Sequence, residues 1–181
     1  MARDDDVTGV LLVGGASRRF GSPKALASFR GTTLAEHAYG LLAAAFPRVI
    51  AVGKEDDALP LPFPVLDDGS DVRAAMAGVV AGLRLSVTDL AVVLPTDTPL
   101  VTAEWLRELA AAADGVDAAV PQTGPLPGAY RRSALPTLET SFAAGDLALH
   151  RTLARLSTRT VPVDGTLLRN ANTPEELRAL S

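Results

Sequence analysis

Val10-Leu11-Leu12-Val13-Gly14-Gly15-Ala16-Ser17-Arg18-Arg19-Phe20-Gly21-Ser22-Pro23-Lys24 reads as a strand that runs straight into a loop. Val10 to Val13 are consecutive apolar residues with no helical period, and the run stops at Gly14-Gly15, as a strand buried on both faces does. Glycines let backbone N–H groups approach an anion closely, while Ser17, Arg18, Arg19 and Lys24 add a hydroxyl and three cations to the same loop. Cations clustered inside a loop suit a polyphosphate whose charge must be offset while one phosphorus is attacked. The spacing is not the P-loop G-x-x-x-x-G-K-[ST], because Gly21 is followed by Ser22, Pro23 and Lys24, and it is not the dinucleotide G-x-G-x-x-G. On these residues alone, a phosphate cradle and a Gly-rich strand end with solvated arginines are equally good readings.

Strand and helix signals alternate outward from this stretch. Thr33-x-x-Glu36 predicts a capping box for a helix reaching Phe46, with Leu34, Ala38, Leu41, Leu42 and Ala45 on one face. Pro47 ends it, and Val49 to Val52 is a second buried strand closing on Gly53. A short strand near Pro64 to Leu66 follows, then a helix over 72–85 with Met76, Val79, Val80 and Leu83 at helical spacing, then a strand at Leu90 to Leu94. Such alternation predicts a parallel sheet with helices on both faces. Further on, the pattern predicts a helix from Thr102 through Trp105, Leu106 and Leu109, with Trp105 in the core or partly so. Strands at 117–120 and 127–130, a helix over 134–143, a second over 147–156 capped by Asp146, and a strand at 161–163 complete it. His37 and His150 are expected to be structural, His37 on the surface of the first helix.

Three sets of polar residues stand out beside the loop. Asp97, in Pro95-Thr96-Asp97-Thr98-Pro99, falls just past the carboxyl end of a central strand, where open α/β sheets bind ligands; a lone carboxylate there suits Mg²⁺, although Asp also caps turns between prolines. Asp67, Asp68 and Asp71 lie in one loop, which could equally be a solvated acidic turn. Near the end, Thr173-Pro174-Glu175-Glu176 is explained by helix capping alone, whereas Asn170 and Asn172 are not.

Composition narrows the class. A chain of 181 residues holds one domain with a real core, 1–181. With no Cys there is no disulfide frame, thiolate metal site or cysteine nucleophile. A net charge of -4 argues against a general nucleic-acid binder, so any anion site is local. No apolar run approaches the ~18 residues of a membrane span, and the acidic start is unlike a signal peptide. A cytoplasmic protein without membrane or nucleic-acid partners, and a monomer, is the expectation.

Leu12 to Lys24 resembles the signature L-A-G-G-x-S-x-R-M-G-x-x-K of nucleotidyltransferases similar to molybdenum cofactor guanylyltransferase, with Val13 for Ala and Phe20 for Met. Pro23, where the guanylyltransferases often carry Asp, is closer to cytidylyl and sugar nucleotidyltransferases. Pro95 to Leu100 is similar to the family's D-x-P segment, Arg73 to Leu83 to G-P-L-A-G-I-x-A-G-L with Ala74-Ala75 for Gly-Pro, Pro125 to Tyr130 to P-L-x-A-x-Y, and Leu168 to Leu177 to N-x-N-T-P-E-D-L. Gly53 stands near a position where the guanylyltransferases can have a nucleotide-reading Asn. These matches run in order along nearly the whole chain.

The resemblance implies a three-layer Rossmann-like fold of the nucleotide-diphospho-sugar transferase type. It implies Mg²⁺-dependent transfer of GMP from GTP to molybdopterin with release of pyrophosphate. Arg18, Lys24 and Asp97 would be catalytic. Leu12, Val13, Gly14, Gly15, Ser17, Lys24, Asp67 (or its neighbour Asp68) and Asp97 would bind the nucleotide. Asp97 would hold the metal, with Asn172 a candidate second ligand, and Asn170 and Asn172 would bind the acceptor. Three alternatives stay open: CTP as the donor, another phosphorylated acceptor such as a sugar phosphate, and a non-catalytic nucleotide- or molybdopterin-binding protein.

Overall fold

The computed structural model describes residues 6–14 and 23–181. Along the chain run β1 (Val7–Leu12), a hairpin of β2 (Ser28–Phe29) and β3 (Thr32–Thr33), α1 (Leu34–Ala45), β4 (Arg48–Gly53), β5 (Val65–Asp67), α2 (Ala75–Leu85) and β6 (Leu90–Pro95). Then come α3 (Ala103–Ala112), β7 (Ala118–Pro121), β8 (Gly128–Arg131), α4 (Leu135–Ala143), α5 (Leu149–Leu153), β9 (Thr158–Val161) and α6 (Pro174–Leu180). All strands but the hairpin form one sheet in the order β5-β4-β1-β6-β8-β7-β9. β1 is parallel to both neighbours, with Leu12 opposite Val52 on one side and Pro95 on the other. Only β8 runs antiparallel, between β6 and β7.

The period-2 geometry of strands divides the core in two. Leu11 of β1 and Leu90, Val92 and Leu94 of β6 meet α1 and α3 on one face, in a cluster with Leu42, Leu106 and Leu109. Val10 of β1 and Ala91 and Val93 of β6 meet α2 and α4 on the other, in a cluster with Met76, Val79, Leu83 and Leu138. Helices on both faces bury β1 and β6 in all but their last residues, which is why their sequences show no alternation. α2 approaches β1 very closely: a Cβ on Gly78 would stand 2.7 Å from the Leu12 side chain, and one on Gly82 would stand 2.7 Å from Val10. Trp105 is buried on α3, as its spacing predicts.

Local signals locate the helix starts. Thr33 and Glu36 form the reciprocal capping box on α1, and Thr102 caps α3. At the opposite ends, arginines satisfy carbonyls that the helices leave open. Arg107 binds the carbonyls of Ala44 and Ala45, Arg131 that of Ala113, and Arg159 that of Ala112.

Four expectations are corrected. The helix expected from residue 72 starts at Ala75, with Ala74 at its cap and no side-chain cap bond. α5 is a single short stretch with Ala148 at its cap; Asp146 stands two residues before that cap, where its carboxylate accepts the Ala148 N–H and pairs with Arg151 and Arg155. The last strand ends at Val161 rather than running from it. Pro162 has no N–H to give, and the Gln122 amide replaces the missing partner strand by bonding both the carbonyl and the N–H of Val163. His37 is half-buried, not a surface residue, with its ring edge-on to Phe29 at 4.9 Å.

Gly53 and Gly40 are expected to respond oppositely to alanine. A Cβ at Gly53 would stand 2.2 Å from the Val13 carbonyl oxygen, so Gly53→Ala must push β1 and β4 apart and cost at least about 2 kcal/mol. Gly40 lies on the exposed side of α1 with nothing within 4 Å, so Gly40→Ala should stabilise by about 0.7 kcal/mol. Urea denaturation of the two variants measures both.

Candidate active site

The parallel strands β1, β4, β5 and β6 all end at one rim of the sheet, and every motif beyond them therefore opens on the same side. β1 hands over to buried Val13, whose N–H continues the pairing by donating to the Val52 carbonyl at 2.8 Å. Gly14 follows, exposed and at φ +139°, where other residues are strained. Gly15, Ser17 and Arg18 lie outside the described residues.

Lys24 heads a single turn of 3-10 helix at residues 24–26 and is mostly buried. Its Nζ lies 3.6 Å from Asp97 Oδ2 and donates to Asn172 Oδ1 at 3.1 Å. Burial pushes its pKa below the usual lysine range, against the opposing pull of the Asp97 carboxylate. Three residues from the three separate motifs thus meet around one ammonium. Asn170 is exposed and lies outside these contacts.

Asp97 is fixed through its backbone from two sides. Its carbonyl oxygen accepts the Ala171 N–H at 2.9 Å. Two residues on, the Pro99 carbonyl accepts from His37 Nε2 at 2.8 Å, and a carbonyl can only accept, so this nitrogen carries the proton. His37 therefore ties α1 to the loop of Asp97, a role its isolated position in the sequence did not indicate.

Asp67 and Asp68 are occupied in building their own loop. Asp67 accepts the N–H of Glu55 at 2.8 Å and of Gly69 at 2.7 Å, and these bonds hold its carboxyl below the ordinary range. Asp68 accepts the Ser70 N–H at 3.0 Å and pairs with Lys54 Nζ at 2.7 Å. Lys54 also donates to the carbonyls of Ser70 and Val72, so one cation staples the whole turn to the end of β4. Beside it, Arg73 and Asp57 form a two-pronged ion pair at 2.8 and 3.2 Å, with Asp57 Oδ2 3.6 Å from where a Cβ on Gly14 would be. Lys54, Arg73 and Asp57 were not singled out by sequence. The usable signal for Lys54 was its place directly after a strand that ends in glycine.

Among the described residues no group of three or more His, Asp or Glu side chains could hold a metal ion. Asp97 and Asn172 nevertheless offer two oxygens within 3.6 Å of a single cationic nitrogen, so this pocket already accepts positive charge between them. That donor set fits Mg²⁺, which takes one or two protein oxygens and completes its octahedron with phosphates and water.

Residues 9–161 match the family of the MobA-like NTP transferase domain. The chain belongs to that family. A protein of Chloroflexus aggregans named probable molybdenum cofactor guanylyltransferase is 32% identical over 192 residues, spanning 95% of this chain and 92% of that protein. One of Bacillus cereus with the same name is 35% identical over 120 residues, a match that spans 62% of this chain and 60% of that one. Among solved structures, the molybdopterin-guanine dinucleotide biosynthesis protein A of Archaeoglobus fulgidus superimposes with a TM-score of 0.82 at 26% identity over 95% of both chains. This MobA-like chain is accordingly a nucleotidyltransferase with the expected mostly parallel, helix-covered sheet.

Two outcomes follow for the loop at the end of β5. Lys54→Met leaves the Asp68 carboxylate, 6% exposed, without its cation, and should lower stability by about 2 kcal/mol in urea. The folded-state pKa of Asp67 lies below the unfolded one, so its loop bonds are intact above the unfolded value and are lost as pH falls through the folded value. The amide proton shifts of Glu55 and Gly69 should titrate together, with a midpoint below the 3.8 of an ordinary aspartate.

Proposed function

We propose that this MobA-like protein transfers GMP from GTP to the terminal phosphate of molybdopterin and releases pyrophosphate, with Mg²⁺ held at Asp97. The observation that carries this reading is the convergence of Lys24, Asp97 and Asn172 within 3.6 Å at the carboxyl end of the central strands. The names of its relatives, molybdenum cofactor guanylyltransferase and molybdopterin-guanine dinucleotide biosynthesis protein A, support guanylate as the group transferred and molybdopterin as its acceptor.

The acceptor phosphate oxygen forms a bond to the α-phosphorus as the bond from that phosphorus to the β-phosphate oxygen breaks, in line, and pyrophosphate departs. A phosphate monoester has its second pKa near 6 and is anionic at neutral pH, so no general base is needed and catalysis is positioning plus charge neutralisation. Lys24, joined by Arg18, offsets the charge that builds on the leaving phosphates. The amides of Gly14 and Gly15, with Leu12, Val13 and Ser17, cradle the nucleotide. Asp97 would hold the Mg²⁺, which would supply positive charge to polarise the phosphates. Asp67 contributes through the shape of its loop, and Asn170 stays with the acceptor side. The enzyme works as a cytoplasmic monomer.

CTP is the second reading. Gly53 favours it, since no side chain fits at that position to reach a purine edge.

Calorimetric titration of GTP, CTP, ATP and UTP with Mg²⁺, beside a pyrophosphate-release assay, is the test. GTP should bind in preference, and Asp97→Ala should abolish the Mg²⁺-dependent part of binding. Lys24→Ala should lower kcat about 100-fold while leaving the thermal midpoint within about 2 °C. A CTP preference moves the donor to the second reading. Binding without pyrophosphate release identifies a carrier instead of an enzyme.

A further inference from the structure

The tripeptide Ala171-Asn172-Thr173 is pinned on three sides. The Ala171 N–H donates to the Asp97 carbonyl at 2.9 Å, and the Asn172 N–H donates to the Glu176 carboxylate at 2.6 Å. Thr173 Oγ1 accepts the Glu176 N–H at 3.1 Å. The capping box expected here is therefore shifted by one residue: Glu176 reaches past the cap to Asn172. Behind the tripeptide, Ala171, Leu177 and Leu180 pack with Phe29 and Leu34 in a small apolar cluster of their own. Asn172 is exposed, yet its backbone is over-determined.

What its side chain meets is Lys24. An ammonium only donates, so the contact at 3.1 Å fixes the amide with its oxygen toward Nζ. A lysine carries a long stem whose rotamers must be frozen before the ammonium can meet a phosphate in one place. An amide oxygen is suited to that task, because it takes a hydrogen bond without cancelling the charge that the phosphates are to use. Asp97 Oδ2 stands 3.6 Å from the same ammonium, so the amide oxygen gives it a second, separate direction.

We propose that Asn172 is a positioning residue that acts on the nucleotide through Lys24, presetting the ammonium for the triphosphate before substrate arrives. The proposal rests on the nucleotidyltransferase reading above and differs from a role for Asn172 in which it touches only the acceptor or the metal.

The test is a calorimetric cycle on the wild type, Asn172→Ala, Lys24→Ala and the double variant. GTP is titrated without acceptor, once with Mg²⁺ and once in EDTA, and CTP is used instead where it binds tighter. Asn172→Ala should weaken binding about fivefold in both conditions and add nothing once Lys24 is gone. Glu176→Gln, which loosens Asn172 from behind, should weaken binding about twofold, again only with Lys24 present. A loss that persists in the Lys24→Ala background, a loss that vanishes in EDTA, or no loss at all would overturn the proposal. A wild type that binds none of the nucleotides would instead overturn the reading on which it rests.

Discussion

The hydrogen bond from the Ala171 N–H to the Asp97 carbonyl joins the last segment of the chain to the end of a central strand, and the site is arranged around that junction. It sets Asn172 beside Asp97, and Lys24 bridges the two. Phe29 of the hairpin and Leu34 at the start of α1 pack with Ala171 and with Leu177 and Leu180 of α6 in a small cluster of their own. His37 binds this satellite cluster to the Asp97 loop, since its ring meets Phe29 and its Nε2 meets Pro99. The small cluster thus frames the meeting of Lys24, Asp97 and Asn172, while the large ones hold the sheet that carries it.

The cations divide their work by position. The chain has two lysines, Lys24 and Lys54, and both sit at the carboxyl rim, each paired with a carboxylate of a neighbouring loop. The arginines Arg107, Arg131 and Arg159 bind carbonyls at helix C-termini, whose partial negative charge favours them there. A planar guanidinium suits several fixed carbonyls at once, whereas a single compact ammonium on a flexible stem suits a place where charge is to be redirected.

Much of this was legible in the residues. The apolar runs at β1 and β6 declared strands buried on both faces, the run at β4 one that is buried only over Ala51 to Gly53, and Thr33 with Glu36 declared the start of α1 through a bond pattern spanning three residues. Asp97, Lys24 and Asn172 were each singled out before their proximity was known. What stayed hidden depends on side chains that bond backbone far away in sequence. Gln122 ends β9 by holding Val163, His37 holds Pro99, and Lys54 closes the turn at Ser70 and Val72. No local period carries such bonds. Asp67 shows the converse: its motif match was visible, but only the fold reveals that Glu55 and Gly69 already use both oxygens.

The crowding at Gly53 bears on how a transferase of this kind could change its preference over evolutionary time. Any side chain there meets the carbonyl of Val13 at the heart of the sheet, so that position is closed to gradual substitution. The turn at 67–73, by contrast, is an exposed surface loop that Lys54 holds by one side chain, and its sequence can drift while the staple remains. Change at this rim of the sheet is channelled into that turn, and a lineage could explore it without disturbing the strands beneath.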